Sequence, residues 1–491
     1  MALAFGARVA LGMRTQLDGD EAAQAIAGVN LLHGHVVVTE PLAHYLGPFD
    51  AYVLAPFLAV GGHTLIAVRV ALAVVGAAFS LAMYGLGRAL FQRHRPALLL
   101  AAVAAVFPLF TVFWSAKAHE TSEMLVLEAT ILALVICIGW RGRTHPAWWV
   151  ALGAASGVAL WANEESLAFL ALAVLVLLMR SGALGFRKAL EGMALAAVSF
   201  AVAFSPWLYH NLRTDFAALQ SIPRIPATVA TRFVALASSQ VPILVGGSRA
   251  CNQDVVPEPV TVALAIAVTL VLLWLRRKSL WHVVHGRFRD VEAADLTLLA
   301  APLTIALLFA GGAEVLPCQP RYLIPLGIPM AVAVTLILIT RSAWRIPVAM
   351  CAAAWLVVSG VTASGLLVGY SITRTGGRVP PDLGPGIAVL RSAHVTAAWA
   401  EYWLAMPLAF YAPDITVGEF GGPVGFPLMQ DRAYAAEDPS WVFPSDDPEV
   451  SIFVDYCKTT GITYRTFRGG GLVVFTGLSA RVEPAAAGIS T

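Results

Sequence analysis

TLIAVRVALAVVGAAFSLAMYGLGRALF, residues 64–91, decides the fold class. A run this long and this aliphatic crosses the roughly 30 Å hydrocarbon core of a bilayer as a helix rising 1.5 Å per residue. Working outward, comparable runs follow at roughly 96–114, 121–140, 147–161, 164–179, 190–210, 258–275, 295–311, 322–340 and 346–370. The whole chain of 491 residues is 58% hydrophobic and 13% charged. A soluble domain carries about a quarter charged residues. The chain therefore reads as a polytopic α-helical membrane protein. Residues 2–13, ALAFGARVALGM, belong to one more span, for about 11 in all; they are too short to cross and contain Arg8, so the first helix is either stubby and tilted or, the reading we favour, begins upstream of Met1. A formal net charge of +2 gives no basis for nucleic-acid binding.

Loop charge sets the expected topology. Arg93, Arg95, Arg141, Arg143, Arg180, Arg187, Lys188, the basic residues of 276–289, Arg341 and Arg345 fall in alternate loops. By the positive-inside rule these face the cytoplasm. The first loop, 14–62, is then external, and everything after residue 371 is exported. Two domains follow: a transmembrane domain, 1–370, and an extracytoplasmic domain, 371–491. The segment RTGGRVPPDLGPG (374–386) is a linker. Beyond it, HVTAAWAEYWLAMPLAFYAPDITVGEF reads strand, helix, strand, and 449–478 ends in a strand at 471–476, which fits a small α/β domain. Five cysteines show no metal-type spacing; Cys251 and Cys318 lie in external loops where they could pair.

Acid gathers at the external ends of the spans. QLDGDEAAQAIAGVNLLHG (16–34) fits a capping box, with Asp18 as N-cap and Glu21 at N3, opening a helix to about residue 33. Capping leaves Asp20 unexplained. AKAHETSE (116–123) adds His119, Glu120 and Glu123; NEES (163–166) adds Glu164 and Glu165; Glu314 precedes the ninth run. Each alone fits a solvated loop charge or a helix start. Together, on one face, they can take a proton from an acceptor or hold a divalent cation. Arg321, in PCQPRYLIPLGIP (317–329), runs against the charge trend. Its side chain either snorkels to the interface or offers a fork of donors to a phosphate.

GDEAAQAIAGVNLLHGH, YLGPFDAYVLAPFLAVGGHTLIAVRVALAVVGAAFSLAMYGLGRALF (45–91), FSPWLYHN (204–211), PRYLIPL (320–326) and AWAEYWLAMPLAFYAPDITV (398–417) together resemble GT-C membrane glycosyltransferases. The nearest branch comprises bacterial relatives of protein O-mannosyltransferases and lipid-A aminoarabinose transferases. The resemblance implies a polyprenyl-phosphate sugar donor, with membrane lipid around it, used at the outer face of a multi-pass inner-membrane enzyme. It places the family's first-loop acid at Asp20, paired with Glu21, and its second-loop acid at Glu120, with Glu123 as the alternative. The donor-phosphate contacts become Arg321, Tyr322 and Lys117. His119 and Glu120 become candidate ligands for a divalent metal ion, the one cofactor the resemblance admits. One departure is plain: the Lys-Pro-Pro element of the aminoarabinose branch is replaced by TEPLAHYLGPFDAY, which has no Lys. The implied reaction is a single inverting displacement, with Asp20 as base toward an acceptor hydroxyl and cations neutralising the departing phosphate. No motif names the sugar or the acceptor. The rival class is a transporter or flippase for a lipid-linked or polar solute. Such proteins place ionisable groups at mid-membrane, and Glu128 alone has that position in the sequence.

Overall fold

The computed structural model describes residues 1–491 apart from 42, 120, 221–226, 247–255, 312–319, 340–349, 351–352, 356, 359, 361–370, 422–423, 488 and 490–491. The chain divides into two compact units. One comprises Met1–Leu11, Ala43–Phe49 and Leu72–Leu367; the other comprises Gly12–Leu42, Asp50–Ala71 and Val368–Thr491.

The larger unit is helical. Its elements include α1 (Ala2–Gly12), most of α4 (Leu65–Phe91), α5 (His94–Val106), α6 (Leu109–Trp114), α7 (Thr121–Gly139), α8 (Pro146–Ala162), α9 (Leu167–Leu184) and α10 (Phe186–Arg213). Among the described residues four helical stretches are long and apolar enough to cross a membrane: Leu65–Phe91, Thr121–Gly139, Glu164–Leu184 and Phe186–Arg213. Proline interrupts two of the other apolar runs. The run expected at 96–114 is two helices. Pro108 starts α6 without an N–H to give, and Phe107 before it is extended at φ −142°, ψ 140°. The run expected at 322–340 begins as a 3₁₀ turn, Pro320–Leu326, with Pro325 inside it, and becomes α-helical at Gly327–Ile339. The run expected at 346–370 lies mostly outside the described residues, as do Cys251 and Cys318.

Small residues set the helix packing. A Cβ on Gly153 would lie 2.0 Å from the Ala196 carbonyl oxygen, and one on Gly157 would lie 2.5 Å from that of Phe200. The Gly153–Gly157 spacing brings the α8 and α10 backbones into contact, as small residues four apart do in membrane helices. Arg8 is 1% exposed; it donates to the Ser115 hydroxyl at 2.9 Å and to the Ala4 carbonyl at 3.2 Å, and its stem fills the space that Gly76 leaves.

The second unit combines α2 (Gly19–Leu32), α3 (Phe49–Gly61) and a C-terminal α/β fold. Five strands run β1 (Ala397–Glu401), β2 (Thr416–Phe420), β3 (Ser440–Pro444), β4 (Arg465–Gly469) and β5 (Leu472–Thr476), in sheet order β2-β1-β3-β5-β4. β1 is parallel to both β2 and β3, while β5 is antiparallel to β3 and β4. The helix Tyr402–Tyr411 makes the β1–β2 crossover that the sequence reading expects. Every residue of β1, β3 and β5 is buried, as befits strands covered on both faces. Trp399, Trp441, Phe443, Phe453 and Phe475 fill the core at no more than 1% exposure.

Candidate active site

α2 begins where its sequence says it should. The Asp18 carboxylate accepts from the Glu21 N–H at 2.9 Å, and the Glu21 carboxylate accepts from the Asp18 N–H at 3.3 Å. This capping box fixes the first turn and so the directions in which Asp20 and Glu21 point.

Glu21 is occupied by structure. It forms a salt bridge with Arg69 of α4, and both side chains are fully buried. The Arg69 guanidinium binds both Glu21 oxygens, and it donates to the carbonyls of Gly12 at 3.0 Å, Gln16 at 3.1 Å and Thr15 at 3.3 Å. One arginine thus ties the segment entering α2 to α4. Gly12 has to be small: a Cβ there would sit 2.6 Å from Arg69 Cδ.

Asp20 takes a different partner. The Tyr402 hydroxyl donates to Asp20 Oδ1 at 2.8 Å. Tyr402 opens the Tyr402–Tyr411 helix, whose N-cap Glu401 accepts from the Trp403 N–H at 2.8 Å. The Tyr402 ring lies against Gly19, where a Cβ would come within 2.7 Å of Cε1. Burial first, and then the Asp20 charge, pushes the Tyr402 phenol far above its ordinary value, so it remains a donor. At the other end of the same helix, burial pushes the Tyr411 phenol up to about 12.

In the helical unit, Lys117 Nζ stands 5.4 Å from the Trp114 ring centre and 5.7 Å from that of Phe113. The His119 ring meets Trp114 edge-on at 5.3 Å. Glu123 is buried in the first turn of α7, where the helix dipole favours an anion. Glu164 and Glu165 lie in the short 3₁₀ turn that Asn163 caps. Glu128 is fully buried within α7, and neither of its oxygens has a hydrogen-bond partner among the described residues. Glu120 and Glu314 lie outside the described residues; Arg321 and Tyr322 belong to the Pro320–Leu326 turn, and their side chains also lie outside them. Among the described residues no group of three or more His, Cys, Asp or Glu could hold a metal ion.

Sequence reading passed over Arg69 and Tyr402. Arg69 did carry a signal: a cation in the opening turns of a long apolar helix needs a buried counter-charge. Tyr402 carried none, because its role depends on a contact spanning 382 residues.

Residues 45–210 match the family model described as dolichyl-phosphate-mannose-protein mannosyltransferase. No curated protein sequence gives a significant match. Among solved structures, the chain resembles ArnT from Cupriavidus metallidurans bound to undecaprenyl phosphate, with a TM-score of 0.60 over 98% of this chain and 97% of that one, at 14% identity. The apo form of the same ArnT gives a TM-score of 0.59 over 97% and 96% of the two chains, at 16% identity. With the ArnT architecture matched nearly end to end and the mannosyltransferase model matched from α3 through most of α10, the fold is that of the GT-C membrane glycosyltransferases.

Proposed function

We propose that the chain transfers a sugar from a polyprenyl-phosphate donor to an acceptor hydroxyl at the outer face of the inner membrane, with inversion and with Asp20 as the base. One observation carries this reading: the two neighbouring acids of α2 are separated in role. Glu21 is committed to Arg69 and to the cap, whereas Asp20 accepts a hydrogen bond from the Tyr402 phenol, which orients its carboxylate. The fold supports lipid-linked transfer, since the ArnT it resembles was crystallised with undecaprenyl phosphate.

In the proposed reaction, Asp20 takes the acceptor proton as the hydroxyl attacks the anomeric carbon from the face opposite the phosphate. The bond to the phosphate breaks with inversion. Arg321, Tyr322 and Lys117 are the proposed partners of the departing phosphate, which needs charge neutralisation more than a proton. A divalent ion at His119 and Glu120 would need donors beyond the described residues.

The test is sugar transfer in membranes carrying Asp20→Asn at matched expression. The expected loss is about 10²–10⁴-fold, the range for removing a general base, while Asp18→Asn costs little because Asn caps nearly as well as Asp. Parental turnover by Asp20→Asn overturns the assignment. A second reading, transport of a lipid-linked or polar solute, draws on Glu128, a buried carboxyl inside a span that has no hydrogen-bond partner among the described residues. Under that reading Glu128→Gln abolishes solute movement in vesicles, while Asp20→Asn leaves it intact.

A further inference from the structure

A groove of about 970 Å³ opens between the C-terminal halves of α4 and α7, the turn that follows α7 and the start of α8. Its inner wall is apolar, formed by small side chains such as Ala82, Ala89, Ala133 and Cys137. Gly85 is part of that wall, and among the described residues no atom outside its own stretch of helix lies within 4 Å of where its Cβ would be, so the space beside it is open. The mouth is basic: Arg88, Arg141 and Arg143 line it, together with Gln92, and among the described residues no carboxylate does.

The three arginines are held differently. Arg141 donates to the Ala89 and Leu90 carbonyls at 2.8 and 2.7 Å, closing off the end of α4. Arg143 is exposed. Arg88 has a buried Nη1 with no hydrogen-bond partner among the described residues. A buried guanidinium nitrogen left without an acceptor is costly, so the site is suited to an anion that supplies one. Two tryptophans mark the depth. Trp148 lines the groove, and so does Trp140, which donates to the Val291 carbonyl at 2.8 Å and carries Arg180 on its ring face at 4.5 Å. Tryptophans gather at headgroup level in membrane proteins. An occupant must therefore offer an anion at headgroup depth and a hydrocarbon chain below it.

We propose that this groove binds an anionic membrane phospholipid, with its phosphate on Arg88 and Arg143 and one acyl chain along the Gly85 wall. The loop 141–143 is basic and so lies on the cytoplasmic side by the positive-inside rule, which makes this a lipid site of the inner leaflet. The proposal does not depend on the glycosyltransferase reading.

The full-length protein is purified in detergent, incubated with phosphatidylglycerol or phosphatidylcholine, and weighed by native mass spectrometry. The parent is expected to retain phosphatidylglycerol in preference to phosphatidylcholine. Arg88→Gln and Arg143→Gln should each lower that retention about tenfold, as loss of a charge-assisted hydrogen bond does. Gly85→Leu, which fills the wall without removing charge, should lower it as well. Arg143 is exposed, so Arg143→Gln decides the matter even if Arg88→Gln fails to fold. Equal retention of the two lipids by the parent, or parental retention by Arg143→Gln and Gly85→Leu, overturns the proposal. Displacement of the lipid by millimolar inorganic phosphate, with Gly85→Leu behaving as the parent, overturns it too and identifies a free-phosphate site.

Discussion

Replacing Glu21 by Gln separates a structural acid from a chemical one. Glu21 and Arg69 are both fully buried, and two of the Arg69 hydrogen bonds end on the Glu21 carboxylate. Glu21→Gln removes the charge paired most closely with the guanidinium, which keeps the carbonyls of Gly12, Thr15 and Gln16. Removing one partner of a buried pair costs about 3–5 kcal/mol. Gln still offers one oxygen, so the loss should fall near the lower end, about 3 kcal/mol. Arg69→Met removes the cation paired with a fully buried carboxylate, and should cost about 4–5 kcal/mol. The double variant removes both charges together, so it should be less destabilised than the sum of the two by about 2–3 kcal/mol. The assay is thermal unfolding of the full-length protein in detergent, with hydrogen exchange followed on peptides covering residues 12–32. Additive single-variant losses would refute the coupling. Parental stability with abolished sugar transfer in Glu21→Gln would refute the division of roles, and the base would be Glu21.

Three further outcomes follow from the same structure. Tyr402→Phe removes the hydrogen bond to Asp20 without changing the ring, and should lower kcat about tenfold with KM nearly unchanged; an unaltered kcat means that the phenol does not position the acid. Gly153→Leu places side-chain atoms where the Ala196 carbonyl already is, and should cost more than about 3 kcal/mol, read as loss of monodisperse protein after solubilisation; a well-behaved variant would show that α8 and α10 can part cheaply. Burial holds the Glu401 carboxyl at about 7, against an ordinary 4.5, so the folded form keeps a proton that the unfolded chain has released. Its contribution to stability is present below pH 4.5 and is lost as pH rises through 7, by about 3 kcal/mol. Hydrogen exchange on β1 should therefore quicken between pH 5 and 8 after correction for the intrinsic rate, and Glu401→Gln should flatten the change; a flat parental profile contradicts it.

Hydropathy made the helical framework readable because apolar runs of bilayer length have few other uses, and α4, α7 and α10 lie close to the expected positions. It was weaker where proline or glycine interrupts a run without making it more polar, as at Pro108 and Pro325. The first turn of α2 was legible because a capping box is local: Asp18 and Glu21 are three residues apart and bind each other's backbone. The β1–helix–β2 crossover was legible for a similar reason, since the pattern changes period at each junction. What stayed hidden was long-range. Nothing near Glu21 announces Arg69, and nothing near Asp20 announces Tyr402, because each pairing is created by the fold.

The distance along the chain between Asp20 and Tyr402 also sets a schedule for the cell. The ribosome reaches Tyr402 382 residues after Asp20. At about 5–20 residues per second, that interval is roughly 20–80 s. Throughout it, the segment bearing α2 has been made and has no Tyr402–Tyr411 helix to pack against. A chain that stops short of residue 402 can insert its apolar helices and still leave Asp20 without its phenol. Completion of the acid's surroundings thus waits on the last quarter of the message, and a truncated product is inert with respect to any chemistry that needs Asp20 held in place.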